Sequence, residues 1–443
     1  MSVQEAMQID FEQYIDVIRN TRPVRSCGLV GQVIGMVLEG KGPGAPVGAI
    51  CKVEVKGADS LPAEVVGFRG SRTLLMPLGE MRGIEPGGRI WVDMARAEAG
   101  VGPCLIGRIL NGLGEAIDNK GPCLPEAVYP LYSEPLNPMN RPRIDMPVDV
   151  GVRAINACLT LGKGQRIGIM AGSGVGKSTL LGMIARHTAA DVNVIALIGE
   201  RGRELRDFIE RDLGPEGLRR SVVVVATSDQ PPLIRLRGAY LATSIAEYFR
   251  DQGKDVILMM DSITRFAMAY REVGLAIGEP PTSRGYTPSV FAQLPRLLER
   301  AGRKADAGSI TGIYTVLVEG DDMNEPIADA VRSIVDGHIV LRRELAYQGH
   351  YPAIDILASV SRIMRDIAAP GQLQAYQELV GVLATYHRAE DIINLGAYTK
   401  GTNPEIDFAI QKIGPVKEFL RQDVDLKTPY QMSIESLIDI FRR

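Results

Sequence analysis

Hydrophobic and polar positions follow different patterns along this chain, and each pattern predicts a different structure. Residues 24–95 carry short apolar alternations such as AICKVEV and AEVVGF, separated by glycine-rich turns. A period of two places every second side chain on the same face of a strand. This part of the chain is typical of a small β-barrel or sandwich, and we expect a barrel domain.

Residues 96–369 show apolar runs and helical stretches in turn. The runs RIGIMA, VNVIALIG, SVVVVAT and DVILMMD are each followed by a segment with helical periodicity. Runs that are apolar on both faces and joined by helices are typical of a mainly parallel sheet covered by helices. We therefore expect an α/β domain after the barrel.

The remaining segments predict helices at both ends and a connector between the first two domains. Residues 370–443 have helical periodicity, which predicts a C-terminal helical domain. In residues 1–23, apolar side chains recur at helical spacing, which predicts an amphipathic helix that either binds a partner or packs on its own domain. Residues 122–147 hold seven of the 27 prolines, which favours an extended connector.

Composition excludes several classes of protein. Hydrophobic residues make up 45% of the 443 and charged residues 23%, as in ordinary globular chains of about three domains. The net charge of -3 supplies no general attraction to nucleic acid. The five cysteines form no CxxC pair, and neither a secretion signal nor an uncharged 18-residue apolar stretch occurs. We expect a cytoplasmic protein without disulfide framework or zinc site.

The strongest chemical motif follows the run RIGIMA. The sequence AGSGVGKS then opens a helix, in the strand, glycine loop and helix order of a phosphate-binding loop. Glycines let backbone N–H groups surround phosphates, the lysine reaches the β and γ oxygens, and the serine offers an oxygen to Mg²⁺. The strict pattern has glycine where this chain has Ala171. The predicted nucleotide-binding residues of the loop are Ala171, Gly172, Ser173, Gly174, Val175, Gly176, Lys177, Ser178 and Thr179.

Two carboxylates follow neighbouring apolar runs. Asp261 ends DVILMMD, where a strand-end aspartate beside a phosphate loop holds Mg²⁺, usually through water. Glu200 follows VNVIALIG within GERGRE, and a hydrolase needs such a carboxylate to orient the attacking water. Either residue alone could also be a solvated surface charge. Their common position at the ends of predicted strands favours a functional role for both carboxylates.

Several longer motifs in order resemble one known family. AGSGVGKS, GERGRE, DSITRFAMAYREVGLAIGEPP, RGYTPSVFAQLPRLLERAG and HYPAIDILASVSRI together resemble the rotary ATPase superfamily, and within it the flagellar and type III secretion export ATPases. The likeness runs from about Val24 to the C-terminus. It implies a RecA-like core whose subunits form a homohexameric ring with ATP at each boundary.

The resemblance also implies roles for individual residues. By motif, Lys177 and Ser178 bind phosphate and Mg²⁺, and Glu200 is the catalytic glutamate. The same motif implies that Arg201 and Glu204 support the phosphate and the metal-water shell. Asp261 would be the metal-side aspartate, and Arg265 would steady the same edge.

Two further residues complete the implied site. Tyr351 in HYPAID matches an adenine-stacking aromatic, although a buried core tyrosine is the alternative, and no second aromatic for that pocket is evident. Arg362 in SVSR matches an arginine finger supplied by the neighbouring subunit, although a local ion pair with Asp366 is the alternative. A finger acting from outside predicts a nearly inactive monomer.

The resemblance implies Mg²⁺-dependent ATP hydrolysis that drives flagellar protein export at the inner face of the cytoplasmic membrane. Its expected partners are export-gate membrane proteins, a stator or regulator subunit at the N-terminal helix, a central stalk protein and cargo-chaperone complexes. A virulence secretion ATPase is the main alternative. An ATP synthase catalytic subunit is less favoured, because NLGAYTKGTNPEID has only two acids. A hexameric RNA translocase is disfavoured by 5% aromatic residues, and a scaffold without turnover by the intact motifs.

Overall fold

The computed structural model describes Phe11 and Ile15 together with residues 26–94, 97–318, 320 and 322–442. Apart from those two positions, the predicted N-terminal helix lies outside the described residues. The chain forms two compact units, the first ending at Ala97 and the second beginning at Glu98. The boundaries predicted for the individual domains remain predictions.

The first unit is a closed antiparallel barrel. Its strands are β1 Cys27–Ile34, β2 Val37–Lys41, β3 Ile50–Val53, β4 Leu61–Arg69, β5 Arg72–Pro77 and β6 Arg89–Met94. Their order around the barrel is β1-β2-β5-β4-β3-β6, and the pairing of Cys27 with Trp91 closes it. Apolar side chains alternate inward, as the period-two pattern predicted, and form a separate small core around Leu38 and Leu75.

The second unit is built on a mainly parallel sheet. The strands of this unit are β7 Glu98–Val101, β8 Ile109–Asn111, β9 Ala127–Pro130, β10 Arg166–Ala171, β11 Val192–Ile198, β12 Ser221–Ala226, β13 Asp255–Asp261, β14 Gly302–Arg303, β15 Ser309–Leu317, β16 Gly337–Leu341 and β17 Ile354–Ser361. Of these, β7 and β9 form a separate two-stranded sheet. The order is β17-β16-β10-β15-β13-β11-β12-β8, with β14 beside β15. Only β14 and β17 run antiparallel in this sheet, as far as the described residues go.

Helices cover the sheet and follow its strands. They are α1 Arg153–Cys158, α2 Lys177–His187, α3 Gly202–Asp207, α4 Gly214–Leu218, α5 Pro232–Asp251, α6 Ile263–Ile277, α7 Pro288–Leu298, α8 Pro326–Ile334, α9 Arg343–Tyr347, α10 Met364–Ile367, α11 Pro370–Asn394, α12 Pro404–Leu420 and α13 Tyr430–Phe441. A π-helical stretch, Phe208–Leu213, continues α3 and buries both of its end residues. No helix in the described part of the chain is long and apolar enough to cross a membrane.

The buried strands explain where the core lies. Every residue of β11 and β12 is buried, so neither strand shows the alternation of a half-exposed sheet. The α11, α12 and α13 helices join the same core through Leu379, Phe419 and Leu437. The proline-rich connector contains β9, which pairs only with β7 among the described residues. The predicted fold class, a barrel, a mainly parallel α/β core and a helical C-terminal part, is confirmed.

Candidate active site

The phosphate-binding motif forms the loop between β10 and α2. Gly176 precedes the helix with φ of 89°, a left-handed conformation that a residue with a Cβ rarely adopts. Within the described chain, no side chain caps this helix end. The first-turn N–H groups, which have no partner inside a helix, are therefore open to an anion.

Three predicted residues meet at the end of this loop. Lys177 Nζ lies 2.5 Å from Asp261 Oδ1 and 3.5 Å from Glu200 Oε1. The exposed fraction of the side chain is only 11% for Lys177, 5% for Asp261 and 15% for Glu200. They meet because β11 and β13 are neighbours, with Leu197 opposite Asp261. One ammonium thus stands between two carboxylates in a nearly closed site.

The electrostatics of Glu200 differ from those of an ordinary surface carboxylate. Burial raises the pKa of Glu200 to about 7, Lys177 opposes the rise, and Asp261 adds to it. Its Oε1 is buried and accepts no hydrogen bond from any described residue. Lys177 Nζ, at 3.5 Å, makes only a long ion pair with this atom, so the atom is suited to accept a proton or a hydrogen bond from a ligand or water.

Sequence reasoning missed Thr315, which holds Asp261. The fully buried Thr315 Oγ1 lies 2.7 Å from Asp261 Oδ1 and can donate a hydrogen bond to it. Thr315 belongs to β15, which lies between β10 and β13 in the sheet. The sequence offered one signal, the Thr315 hydroxyl within the apolar run SITGIYTVL. Which residue this hydroxyl contacts depends on the strand order.

The residues predicted to support the site lie around its rim. Arg201 Nη1 pairs with Glu204 Oε1 at 3.2 Å, and both side chains are exposed. Arg265, in the first turn of α6, packs against Gly199 so closely that a Cβ on the glycine would lie 2.7 Å from Arg265 Cβ. The Nε of Arg265 is buried without a partner among the described residues. Gly199 therefore lets Arg265 pack beside the turn that carries Glu200.

Tyr351 lies beside the phosphate loop. A Cβ added to Gly176 would be 3.6 Å from the Tyr351 ring, and the ring is 46% exposed, so it is not a core tyrosine. It borders a cavity of about 520 Å³ that also reaches Thr179 and Met183 on α2. Sequence reasoning missed the other wall, which comes from the segment after α12 and contains Gln422, Asp423, Val424 and Leu426. This wall holds no aromatic residue.

Arg362 lies away from this chain's own phosphate loop. Ser361 pairs with Gly337 at the start of β16, whereas Leu341 at its end pairs with Ala171. The two pairings are four residues apart along β16. Ser361 and Ala171 therefore lie about 13 Å apart along the strand direction. The Arg362 guanidinium is exposed and donates to the Arg332 carbonyl at 3.2 Å, and no ion pair with Asp366 occurs among the described residues. The alternative of a local pair is not supported.

Comparison with known proteins identifies the family. The chain is 53% identical over 433 residues to a flagellum-specific ATP synthase of Bacillus subtilis (strain 168), covering 97% of this chain and 98% of the relative. It is 49% identical over 418 residues to a type 3 secretion system ATPase of Xanthomonas euvesicatoria, covering 94% of each chain. The chain belongs to the family of flagellar and type III secretion ATPases. The resemblance stated from its motifs is confirmed.

Family models and solved structures agree with this assignment. Residues 30–90 match the ATP synthase alpha/beta family β-barrel domain, residues 151–361 its nucleotide-binding domain, and residues 368–439 the T3SS EscN ATPase C-terminal domain. The assembled ATPase EscN from the enteropathogenic E. coli type III secretion system is similar with a TM-score of 0.88 and 46% identity, covering 93% of this chain and 99% of EscN. EscN in complex with its central stalk EscO gives 0.86 and 45%, with the same coverage.

Proposed function

We propose that this ATPase binds Mg²⁺-ATP at the edge where β10, β11 and β13 end. The observation that carries the proposal is the convergence of Lys177, Glu200 and Asp261 beside an uncapped helix end. On binding, the Lys177 ammonium exchanges its carboxylate partners for the β and γ phosphate oxygens, which carry more negative charge. Backbone N–H groups of the loop from Gly172 to Gly176 hold the same phosphates.

The donor set fits Mg²⁺. Magnesium prefers oxygen ligands and takes few from protein when a nucleotide supplies phosphates. Ser178 offers a hydroxyl, Asp261 a carboxylate held by Thr315, and Glu204 a rim carboxylate. The Glu200 and Asp261 carboxylates face one ammonium, and Oε1 of Glu200 accepts no hydrogen bond from the described residues, which also favours a further cation. When bound, the ion would neutralise charge that develops on the phosphates.

The nucleotide base fits the cavity beside Tyr351. Gly176 and Thr179 line this cavity, which places it next to the phosphate loop, and its volume of about 520 Å³ is in the range of ligand pockets. The exposed ring offers a stacking face for adenine. The aliphatic side chains of Val424 and Leu426 offer apolar contacts from the helical part.

Hydrolysis follows from Glu200. With a pKa of about 7, this carboxylate is close to balanced between its two forms at neutral pH, as a general base requires. We assign Glu200 to orient and polarise the attacking water. Arg201, Glu204 and Arg265 lie at the edge of the site and support it. ADP and phosphate are the products.

A further positive charge at the site comes from a neighbouring copy of the chain. The backbone of Ser361, which precedes Arg362, lies about 13 Å along the sheet from the level of Ala171, and the exposed Arg362 guanidinium donates to the Arg332 carbonyl rather than to its own phosphate loop. A guanidinium placed this way suits a head-to-tail ring in which each copy completes the next site. We propose a homohexamer, in line with the assembled state of the similar EscN.

The work done by hydrolysis is export of flagellar proteins. The Bacillus subtilis relative, which is 53% identical, is flagellum-specific, and it supports the flagellar function. The EscN complex with a central stalk supports a stalk partner. We further propose contacts with export-gate membrane proteins at the inner face of the cytoplasmic membrane, a stator or regulator subunit at residues 1–23, and cargo-chaperone complexes.

A complementation experiment tests this function. In a strain lacking the gene, wild-type chain and the matched surface variant Glu216→Gln should restore motility and secretion of flagellar proteins, because Glu216 is exposed on α4. Lys177→Ala should restore neither. Full motility in the deletion strain, or a defect confined to a virulence secretion system, would contradict the flagellar assignment.

A further inference from the structure

Two cysteines that are 19 positions apart in the sequence lie side by side in the second unit. Cys104 is in a short 3₁₀ helix, Pro103–Leu105, and Cys123 is in the proline-rich connector. Cys123 Sγ donates to the Cys104 carbonyl at 3.1 Å, and Cys104 Sγ donates to the Leu124 carbonyl at 3.1 Å. Each thiol therefore lies against the chain segment that carries the other. Both are partly exposed and reduced.

Arg108 holds a positive charge beside the Cys123 sulfur. Its Nη1 donates to Cys123 Sγ at 2.8 Å. The guanidinium is held by Asp118 through two bonds of 2.7 and 2.8 Å and by the Gly121 carbonyl at 2.6 Å. Reactive cysteines are found beside such charges and within reach of solvent.

The other three cysteines offer a contrast within the same chain. Cys51 and Cys158 are buried, and burial raises the pKa of both thiols, that of Cys51 to about 11. Such thiols are inert. Cys27 is exposed, but no second cysteine contacts it among the described residues. Only the pair Cys104 and Cys123 combines access, proximity and a cationic neighbour in the described chain.

We propose that Cys104 and Cys123 form a reversible oxidation site that a peroxide converts into a disulfide. The Cys123 sulfur attacks one peroxide oxygen, the O–O bond breaks, a sulfenic acid forms, and the Cys123 proton joins the released hydroxide as water. The Cys104 sulfur then attacks the Cys123 sulfur, the S–O bond breaks, and the Cys104 proton leaves with the hydroxyl group as water. Two thiols are oxidised and one peroxide is reduced to two waters. A dithiol reductant reverses the change by exchange.

The assignment of the two roles follows from the surroundings. Cys123 contacts the guanidinium and is the attacking sulfur. Burial and the neighbouring Cys123 raise the pKa of Cys104, so Cys104 keeps its proton until it resolves the sulfenic acid. The bond closes a loop that contains β8, the strand at one edge of the sheet. Disulfides of reducing compartments are mostly transient and regulatory, which suits a partly exposed pair.

Thiol counting on the full-length protein tests the proposal. The native protein is treated with hydrogen peroxide, denatured, and titrated for free thiols, then digested and mapped by mass spectrometry. We expect the count to fall from five to three and to return to five after dithiothreitol. The peptides that carry Cys104 and Cys123 should be linked within one chain. A count that stays at five, or a link that runs through Cys27 between chains, would overturn the site.

Single variants separate the roles and control for folding. Cys27→Ser should leave the loss of two thiols unchanged. Cys104→Ser should abolish the link and leave a sulfenic acid at Cys123 that dimedone captures. In the wild-type protein, iodoacetamide should modify Cys123 faster than Cys27. Dimedone on Cys104 in the wild-type protein, or equal alkylation of Cys123 and Cys27, would overturn the assigned order of attack.

Discussion

Replacing Glu200 by glutamine tests the site through both catalysis and stability. The amide keeps the shape of the side chain but cannot take a proton from water. Because Lys177 and the loop amides remain, we expect Glu200→Gln to bind ATP and to lose turnover by a factor of about 10² to 10⁴, the usual contribution of a general base. In the wild-type free enzyme, kcat/KM should fall as the pH drops below about 7, where Glu200 takes up a proton.

The stability effect has a sign and a window fixed by the same pKa. The Glu200 pKa rises from 4.5 in the unfolded chain to about 7 in the folded protein, so between these values the folded state binds more protons. The wild-type protein therefore loses stability from this group as the pH rises from 4.5 to 7. At 1.36 kcal/mol per pH unit, the full window corresponds to about 3 kcal/mol. The side chain keeps 15% exposure, so we expect about 1–2 kcal/mol.

The assay compares thermal unfolding of wild type, Glu200→Gln and the exposed control Glu216→Gln at pH 5 and pH 8. Glu200→Gln should unfold a few degrees above wild type at pH 8, and the gap should close towards pH 5. The control should follow wild type at both values. Normal turnover in Glu200→Gln would refute its catalytic role. A gap that does not change with pH would refute the argument from burial.

Three further substitutions test the walls and supports of the site. Tyr351→Ala should weaken ATP binding about tenfold in calorimetric titration while Tyr351→Phe keeps it, because stacking needs the ring alone; equal affinities would contradict an adenine contact. Thr315→Val should lower kcat by releasing Asp261 and Thr315→Ser should retain it, whereas full activity in both would show that the 2.7 Å hydrogen bond does not position Asp261. Gly199→Ala should lower the unfolding temperature, because φ is 71° and its Cβ would lie 2.7 Å from Arg265 Cβ; an unchanged melting curve would contradict this packing.

The sequence predicts best what is local. The phosphate loop was predictable because its residues are consecutive and because the run RIGIMA coincides with β10. Glu200 and Asp261 could be placed at one edge since each ends an apolar run and parallel strands end together. Their approach to the same ammonium depends on β11 and β13 being neighbours, which the sequence order alone does not dictate.

What the sequence does not predict depends on contacts between distant segments. Thr315 serves Asp261 only because β15 lies beside β13. The wall at Val424 and Leu426 exists because Gln422 ties its segment to the Tyr351 carbonyl at 2.9 Å. The position of Arg362 at the opposite level of the sheet follows from the antiparallel turn of β17, which no local periodicity indicates.

A mixing experiment measures most directly whether two copies build one site. Arg362→Ala keeps its phosphate loop and lacks the finger, whereas Lys177→Ala keeps the finger and lacks the lysine. Each should be nearly inactive alone. In an equal mixture that assembles at random, about a quarter of head-to-tail boundaries join an intact loop to an intact finger. The account predicts that ATPase activity returns on mixing and depends on the ratio; an absence of rescue at every ratio would contradict a site shared between copies.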